Sequence, residues 1–334
     1  MAKNIFIFAG YAPSAYNGSN YQTAEGCRGS EIALVNLAES LAERNNVTVG
    51  YAPIIEGVHN NVTYISWDKI QKHLLTNEID VLIVSRYLNF FVEFVNTAKK
   101  TYLWFHDYYG LPWLNGAALP ANGVPLLRNQ LASIDGIVTL SDWHKEYVKS
   151  FYGITDDKVL KIGNAINAQK FNSFSIEKKI KNRFIFTSAN GGLEDAINVF
   201  VKYRELNPDA ELHVFKNLEY IPDALKNKDG VIYRGIVPND IIIEELITSQ
   251  FWIYPATVHE TFCISALEAR VAGCIPIVKP MGGMEEVLGR YLLNIDDPLL
   301  FDKMKNVDFI EKSRKEALSE TWFKKSVEWE SLFL

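Results

Sequence analysis

The stretch from Phe251 to Val278 constrains the fold of this chain more than any other. Phe251–Tyr254 is a short, wholly apolar run, the mark of a strand covered on both faces. Pro255 has no N–H to continue a ladder and ends it. Ile264, Leu267, Val271 and Ala272 then keep a helical spacing, Gly273 stops the helix, and Ile275–Val278 is a second buried strand. Strand, loop, helix and strand in that order form a parallel crossover, so the region belongs to an α/β sheet.

The loop and helix of that crossover carry two carboxylates. Glu260 lies ahead of the helix and Glu268 eight positions on, about 12 Å along a helix axis at ~1.5 Å per residue. Between them, around Thr261, Phe262 and Cys263, falls the helix N-terminus, where unpaired N–H groups and the helix dipole favour an anion. The order is a carboxylate for hydroxyls, an anion seat and a second carboxylate for hydroxyls. Sugar, diphosphate and ribose follow one another in the same order in a nucleotide sugar. Two glutamates at this spacing also arise by chance as solvated helix charges, so the flanks decide. Tyr254-Pro255 ahead of the first Glu, Glu260-Thr261-Phe262, Leu267-Glu268-Ala269 and Ala272-Gly273-Cys274-Ile275-Pro276-Ile277-Val278 together resemble the signature of the retaining GT-B glycosyltransferases of the GT4 family (glycosyltransferase group 1).

Length and charge set outer limits. At 334 residues the chain is long enough for two domains. A net charge of −6 argues against nucleic acid, which demands a basic face. Residues 1–165 hold 13 basic and 15 acidic residues, net −2, and 166–334 hold 21 and 25, net −4. Neither half reads as a basic membrane-docking surface. Cys27, Cys263 and Cys274 are odd in number and form no Cys-x-x-Cys, which disfavours a disulfide framework or a zinc site and fits a reducing, cytoplasmic setting. The apolar run after Met1 is too short for a signal peptide, and no segment approaches ~18 consecutive apolar residues.

The alternation of strand and helix runs along the whole chain. Asn4–Ala9 is a buried strand, followed by a loop to Gly29 and a helix over Glu31–Arg44 with Ser30 as its cap. Asn46–Tyr51 is the second strand. No G-x-G-x-x-G follows the first strand, which disfavours a dinucleotide enzyme. Val81–Ser85 is a strand, Leu88–Lys99 a helix, and Thr101–Phe105 a strand running into His106 and Asp107. The segment Tyr108–Leu126 is irregular and aromatic, too apolar for disorder, and suits either stacking on a sugar ring or a plug over the core. Gly136–Leu140 is a strand, and Ser141 caps the helix that begins at Asp142. Residues 165–182 read as a polar linker, after which Arg183–Ser188 opens a second series of strands at Ala210–Phe215, Val231–Tyr233, Phe251–Tyr254 and Ile275–Val278.

The resemblance implies an α/β protein with the GT-B fold, two Rossmann-like doubly wound domains facing a central cleft. Residues 1–165 would form the acceptor-side domain and 166–318 the nucleotide-sugar domain. Residues 319–334 would form a helix crossing back to the first domain. It also implies site roles. As catalytic residues, Glu260 would contact donor-sugar hydroxyls and His106 would hydrogen-bond the donor or acceptor sugar. Gly29, Ser30, Gly191, Gly192, Lys216, Ile236, Thr261, Phe262, Cys263 and Glu268 would hold the donor. Asp107, Tyr108 and Trp113 would meet a glycan, lipid-linked or protein-linked acceptor. The donor would be a UDP- or GDP-sugar, with no metal and no further cofactor. One departure stands out: the family's usual Arg and Lys in the first loop of the second domain are absent from Ser188–Glu194. Arg28 and Lys216 are candidate stand-ins. That departure keeps two alternatives open, a non-catalytic nucleotide-sugar-binding or scaffold protein of the same fold and a GT-B nucleotide-sugar epimerase.

Overall fold

In the computed structural model, residues 2–24, 27, 29–111, 113–114, 117–118, 124–155, 157–188 and 191–334 are described, with backbone alone at 113–114, 117–118 and 124. The chain divides into two units, one of residues 1–165 with Trp322–Leu334, the other Ile166–Thr321.

The first unit follows the alternation of buried apolar runs and amphipathic segments. Its elements are β1 (Asn4–Tyr16), α1 (Gly29–Ala42), β2 (Asn46–Ile54), β3 (Gly57–His59), β4 (Val62–Ser66), α2 (Trp67–Thr76), β5 (Val81–Ser85), α3 (Phe90–Glu93) and β6 (Lys100–Trp104). A short ribbon of β7 (Trp113–Leu114) and β8 (Ala117–Ala118) comes next, then α4 (Val124–Gln130), β9 (Gly136–Thr139), α5 (Asp142–Tyr152) and β10 (Val159–Lys161). The main sheet has the order β10-β9-β6-β5-β1-β2-β4-β3, parallel except for the β3–β4 pair. Phe6 and Phe8 of the central strand are fully buried, because helices cover both faces.

The second unit contains β11 (Ile180–Phe186), α6 (Leu193–Leu206), β12 (Glu211–Val214), α7 (Asp223–Lys226), β13 (Val231–Tyr233), α8 (Asn239–Thr248) and β14 (Ser249–Pro255). It continues with α9 (Ile264–Val271), β15 (Ile275–Lys279), α10 (Gly283–Leu288), β16 (Leu293–Asn294), α11 (Leu300–Lys305) and α12 (Ile310–Leu318). Its sheet is parallel throughout, in the order β13-β12-β11-β14-β15-β16. Separate apolar layers cover its two faces, one around Trp252, Leu267 and Met284, the other around Phe184, Phe200 and Phe251.

In each sheet the strand order reverses about the first strand of the unit: β1 lies between β2 and β5, and β11 between β12 and β14. Ligand crevices in open α/β sheets lie at the carboxyl ends of strands beside such a reversal. The two places to search are therefore the β1–α1 and β5 ends in one unit, and the β11–α6 and β14 ends in the other.

Three expectations change. The helix over Leu88–Lys99 shrinks to α3 (Phe90–Glu93), because Asn96 accepts from the Ala98 N–H and donates to Thr101 Oγ1 while Thr97 donates to the Leu74 carbonyl. Such side-chain bonds compete with helical ones. Ser30 is no helix cap: α1 already begins at Gly29, and the Ser30 hydroxyl lies with Glu31 and Arg86 instead. Residues 166–182 belong to the second unit, with Ile166 N–H on the Glu320 carbonyl and Phe171 buried in the core. Lys179 at its end donates to the carbonyls of Leu246 and Ser249.

The terminal helix α13 (Trp322–Leu332) packs within the first unit. Trp329 is buried edge-on against Trp104 at 5.6 Å, Ser326 Oγ meets Ser40 Oγ at 3.1 Å, and Arg44 pairs with Glu330 at 3.1 Å.

Candidate active site

The second unit builds its crevice mainly from backbone. β14 ends at Pro255, and the Thr257–Cys263 loop carries the chain to α9. Cys263 occupies the helix cap in the left-handed region (φ 75°) and provides no side-chain cap, so the first-turn N–H groups of α9 carry the positive end of the helix dipole. A left-handed non-glycine residue costs about 1–3 kcal/mol and is characteristic of functional turns. Burial, then the charge of Glu260, pushes the Cys263 thiol well above its ordinary range, so it is no nucleophile at neutral pH.

Glu260 is held on both sides. Its N–H donates to the Met281 carbonyl at 3.2 Å and its own carbonyl accepts from Gly283 N–H at 2.6 Å. A Cβ on Gly282 would stand 2.6 Å from the Glu260 carbonyl oxygen, so the close approach requires glycine there. The side chain is aimed by Tyr254, whose hydroxyl donates to Glu260 Oε1 at 2.5 Å. Burial and the Glu260 charge push the Tyr254 phenol up, keeping it a donor.

Gly191 and Gly192 form the other wall. Both are left-handed, at φ 103° and 81°. A Cβ on Gly192 would lie 2.0 Å from the Pro255 carbonyl oxygen, and one on Gly191 2.6 Å from Thr257 Oγ1. The start of α6 therefore presses directly on the loop that leads to Glu260.

Glu268 is half-buried on α9, and burial pushes its carboxyl up to about 7 against the pull of Lys170. Lys170 donates to Asn239 Oδ1 at 3.1 Å, and burial lowers its ammonium pKa while Glu268 and Asp240 oppose that shift. Arg270 fixes the helix from behind, with Nε on Ser313 Oγ at 3.0 Å and a further donor on the Val287 carbonyl. Lys216 follows β12 by two residues and is half-buried, and Ile236, itself 80% exposed, follows β13 beside left-handed Gly235. Thr261 and Phe262 lie in the loop between Glu260 and the α9 cap.

The first unit builds its crevice from charged side chains. Arg86, just past β5, is left-handed at φ 65°. Its Nη1 donates to Ser30 Oγ at 2.9 Å and to Glu31 Oε1 at 2.8 Å, while Nε donates to Asp107 Oδ2 at 2.8 Å. Burial disfavours the guanidinium charge, but Asp107 and Glu31 outweigh it and the pKa is raised. Gly29 is the first residue of α1. His106 follows β6, its ring 4.3 Å from that of Trp104. Burial, then the charges of Arg86 and His144, pushes the His106 pKa well below the ordinary range, so it is neutral at pH 7. His144 accepts the Leu140 N–H at Nδ1, which leaves Nε2 to donate to the Asp107 carbonyl at 2.8 Å.

Tyr108 lies against Trp143 and Tyr147 at 5.9 and 5.3 Å, and Tyr147 stacks on Phe151 in turn. Trp113 lies on β7 by its backbone, and Arg28 falls outside the described residues.

Most of the residues singled out in sequence thus fall into two groups, while Lys216, Ile236 and Trp113 are assigned to neither. Glu260, Thr261, Phe262, Cys263, Glu268, Gly191 and Gly192 share the second unit's crevice. Gly29, Ser30, His106, Asp107 and Tyr108 share the first unit's. Sequence reading missed Tyr254 as the group aiming Glu260, the Met281–Gly283 clamp, Lys170 beside Glu268, and Arg86. The glycine pair at 282–283, three residues past β15, was a legible signal; Arg86 had none. Among the described residues no cluster of His, Cys, Asp and Glu could hold a metal ion, and no helix is long and apolar enough to cross a membrane.

Residues 172–325 match the family model of glycosyl transferases group 1. That stretch takes in nearly all of the second unit, which is therefore similar to group 1 glycosyl transferases. A phosphatidylinositol N-acetylglucosaminyltransferase subunit from Arabidopsis thaliana is 25% identical over 188 residues, covering 52% of this chain and 41% of that protein. The match thus spans less than half of that relative's length. Among solved structures, sucrose-phosphate synthase from Thermosynechococcus elongatus superposes with a TM-score of 0.71 at 12% identity, covering 99% of this chain and 98% of that one. Anabaena HepE in complex with UDP-glucose gives 0.66 at 12% identity, covering 98% and 99%. The fold is GT-B.

Proposed function

We propose that this chain transfers a sugar from a nucleoside-diphosphate sugar to a hydroxyl acceptor, with retention of configuration and without a metal. The observation that carries the reading is the seat between Glu260 and Glu268: a dipole-bearing helix end with a left-handed cap, flanked by one aimed and one half-buried carboxylate. In this reading the diphosphate rests on the α9 N–H groups, Glu268 accepts from the ribose hydroxyls, and Glu260 accepts from hydroxyls of the donor sugar. The turn at Gly235-Ile236 lies beside the base. A nucleotide sugar is what HepE binds in its solved complex, and UDP-glucose is therefore the first donor to test.

Catalysis then consists of stabilising the leaving diphosphate and placing the acceptor oxygen, which a phosphate oxygen relieves of its proton. The Gly191-Gly192 turn and the α6 start replace the cation missing from Ser188–Glu194, with Lys216 as the nearest positive side chain in sequence beyond β12. The acceptor side falls to His106, Asp107 and Tyr108 of the first unit, where a neutral imidazole suits hydrogen bonding to a sugar hydroxyl. The acceptor class we favour is a glycan or lipid-linked sugar.

A thermal-shift panel of UDP-, GDP- and ADP-sugars tests the donor. A ligand at 100 times its Kd stabilises by about 2.7 kcal/mol, a readable shift. Anomeric analysis of the product by NMR tests retention. Conversion of a donor with no acceptor present would favour the epimerase alternative, and binding without any turnover the scaffold one.

A further inference from the structure

We propose that Arg86 is a positioning residue for the acceptor side, clamping the start of α1 to the His106–Asp107 turn; this rests on the glycosyl-transfer reading and deepens it. Four elements converge on this residue. Its N–H donates to the Trp104 carbonyl at the end of β6 (3.0 Å), and its carbonyl accepts the Leu111 N–H (2.6 Å). Its guanidinium reaches Ser30 and Glu31 on one side and Asp107, through two donors at 2.8 and 3.4 Å, on the other. The side chain is only 20% exposed, and Glu31 10%.

The left-handed backbone makes this geometry. An extended residue at the end of β5 would direct its side chain along the sheet normal, as its neighbours in the strand do. At φ 65° the side chain leaves the sheet's alternation and bridges the two loops on either side of the strand reversal. The strained conformation is kept although a smaller residue would adopt it more easily, and such outliers point to function. One positive charge is shared between two carboxylates, so the cluster is anionic overall and Arg86 is not a spare cation for the diphosphate. Asp107 is held twice, by Arg86 at its carboxylate and by His144 at its carbonyl, which fixes the backbone next to His106, whose ring lies 4.3 Å from that of Trp104 and within the field of Arg86 and His144.

The test compares Arg86→Gly, which accepts the left-handed backbone and deletes the guanidinium, with Arg86→Lys, which keeps the charge and loses the two-sided fork. The first readout needs no turnover: imidazole Cε1–H resonances of the full-length ligand-free protein, titrated with pH. Arg86→Gly should displace the His106 resonance and raise its protonation midpoint, because a neighbouring positive charge is gone, while His213 and His259 stay unmoved. Arg86→Lys should restore the midpoint in part. The second readout is kinetic, on the donor that the thermal-shift panel selects: kcat should fall about 100-fold in Arg86→Gly with donor KM changed less than threefold. A His106 signal unchanged in Arg86→Gly overturns the assignment whatever the turnover. So does a displaced signal with kcat intact. If the wild type binds no nucleotide sugar, the transfer reading falls, and the His106 titration still decides whether Arg86 sets that ring.

Discussion

The two crevices occupy equivalent places in their sheets, at the carboxyl ends beside the strand reversal, yet they are built from different materials. In the second unit the working parts are backbone: left-handed Gly191, Gly192 and Cys263, a helix end, and a glycine-tight clamp on Glu260. In the first unit they are side chains: Glu31, Arg86, Asp107 and His144, drawn from four separate segments. A backbone seat suits a ligand of fixed charge such as a diphosphate, because N–H dipoles stay in place and carry no counterion. A side-chain network can be rebuilt by substitution, which suits the partner that varies among relatives of one fold.

The largest test of this contrast is Gly192→Ala. Its Cβ would meet the Pro255 carbonyl at 2.0 Å in a left-handed backbone, and one of the two must move. Unfolding by denaturant should show a loss of about 2–4 kcal/mol. A variant as stable as wild type would show that the turn is free to shift, and that the second crevice is less rigid than its close contacts imply. Glu260→Gln comes next: kcat/KM should fall about 100- to 1000-fold with little change in melting temperature, since the Tyr254 hydroxyl can still donate to the amide oxygen.

Glu268→Gln should act in two opposed directions. Donor KM should rise about 10- to 100-fold, through loss of charge-assisted hydrogen bonds of roughly 1.5–3 kcal/mol. Stability should move the other way. The Glu268 carboxyl titrates near 7 when folded against an ordinary 4.5, so the folded state binds the extra proton and wild-type stability declines as pH rises from about 4.5 through 7. The Gln variant lacks that decline, and its melting temperature should exceed that of wild type by a few degrees at pH 8 but not at pH 4.5. Parallel pH–stability curves for the two proteins would show that Glu268 is not buried enough to matter.

The smallest effect is expected of Lys170→Met. With its cation gone, Glu268 loses a stabilising charge, and donor KM at pH 7 should rise about two- to fivefold while the difference narrows at pH 9. A pH-independent change would place Lys170 on the donor itself.

Much of the second crevice was legible because its parts are local. Glu260, the α9 cap and Glu268 lie within nine consecutive residues, so their order is set by the chain itself. The alternation of buried strands and helices was equally readable, since parallel strands covered on both faces leave continuous apolar runs such as Ile5–Phe8 and Phe251–Tyr254. The short α3, by contrast, was hidden: a helical pattern over 88–99 gave way to side-chain bonds from Asn96 and Thr97 that depend on partners at Thr101 and Leu74.

What the sequence determined by itself, then, was whatever follows from spacing along one chain: the α/β class, the position of the α9 start, and the carboxylates on either side of it. Tertiary structure alone decided the rest. Tyr254 aims Glu260, Lys170 meets the field of Glu268, and Arg86 joins Glu31 to Asp107 across 76 positions of sequence. The physical reason is range. Backbone dipoles and periodicity are written in neighbouring residues, whereas ion pairs and buried titrations depend on which distant strands the sheet order sets side by side.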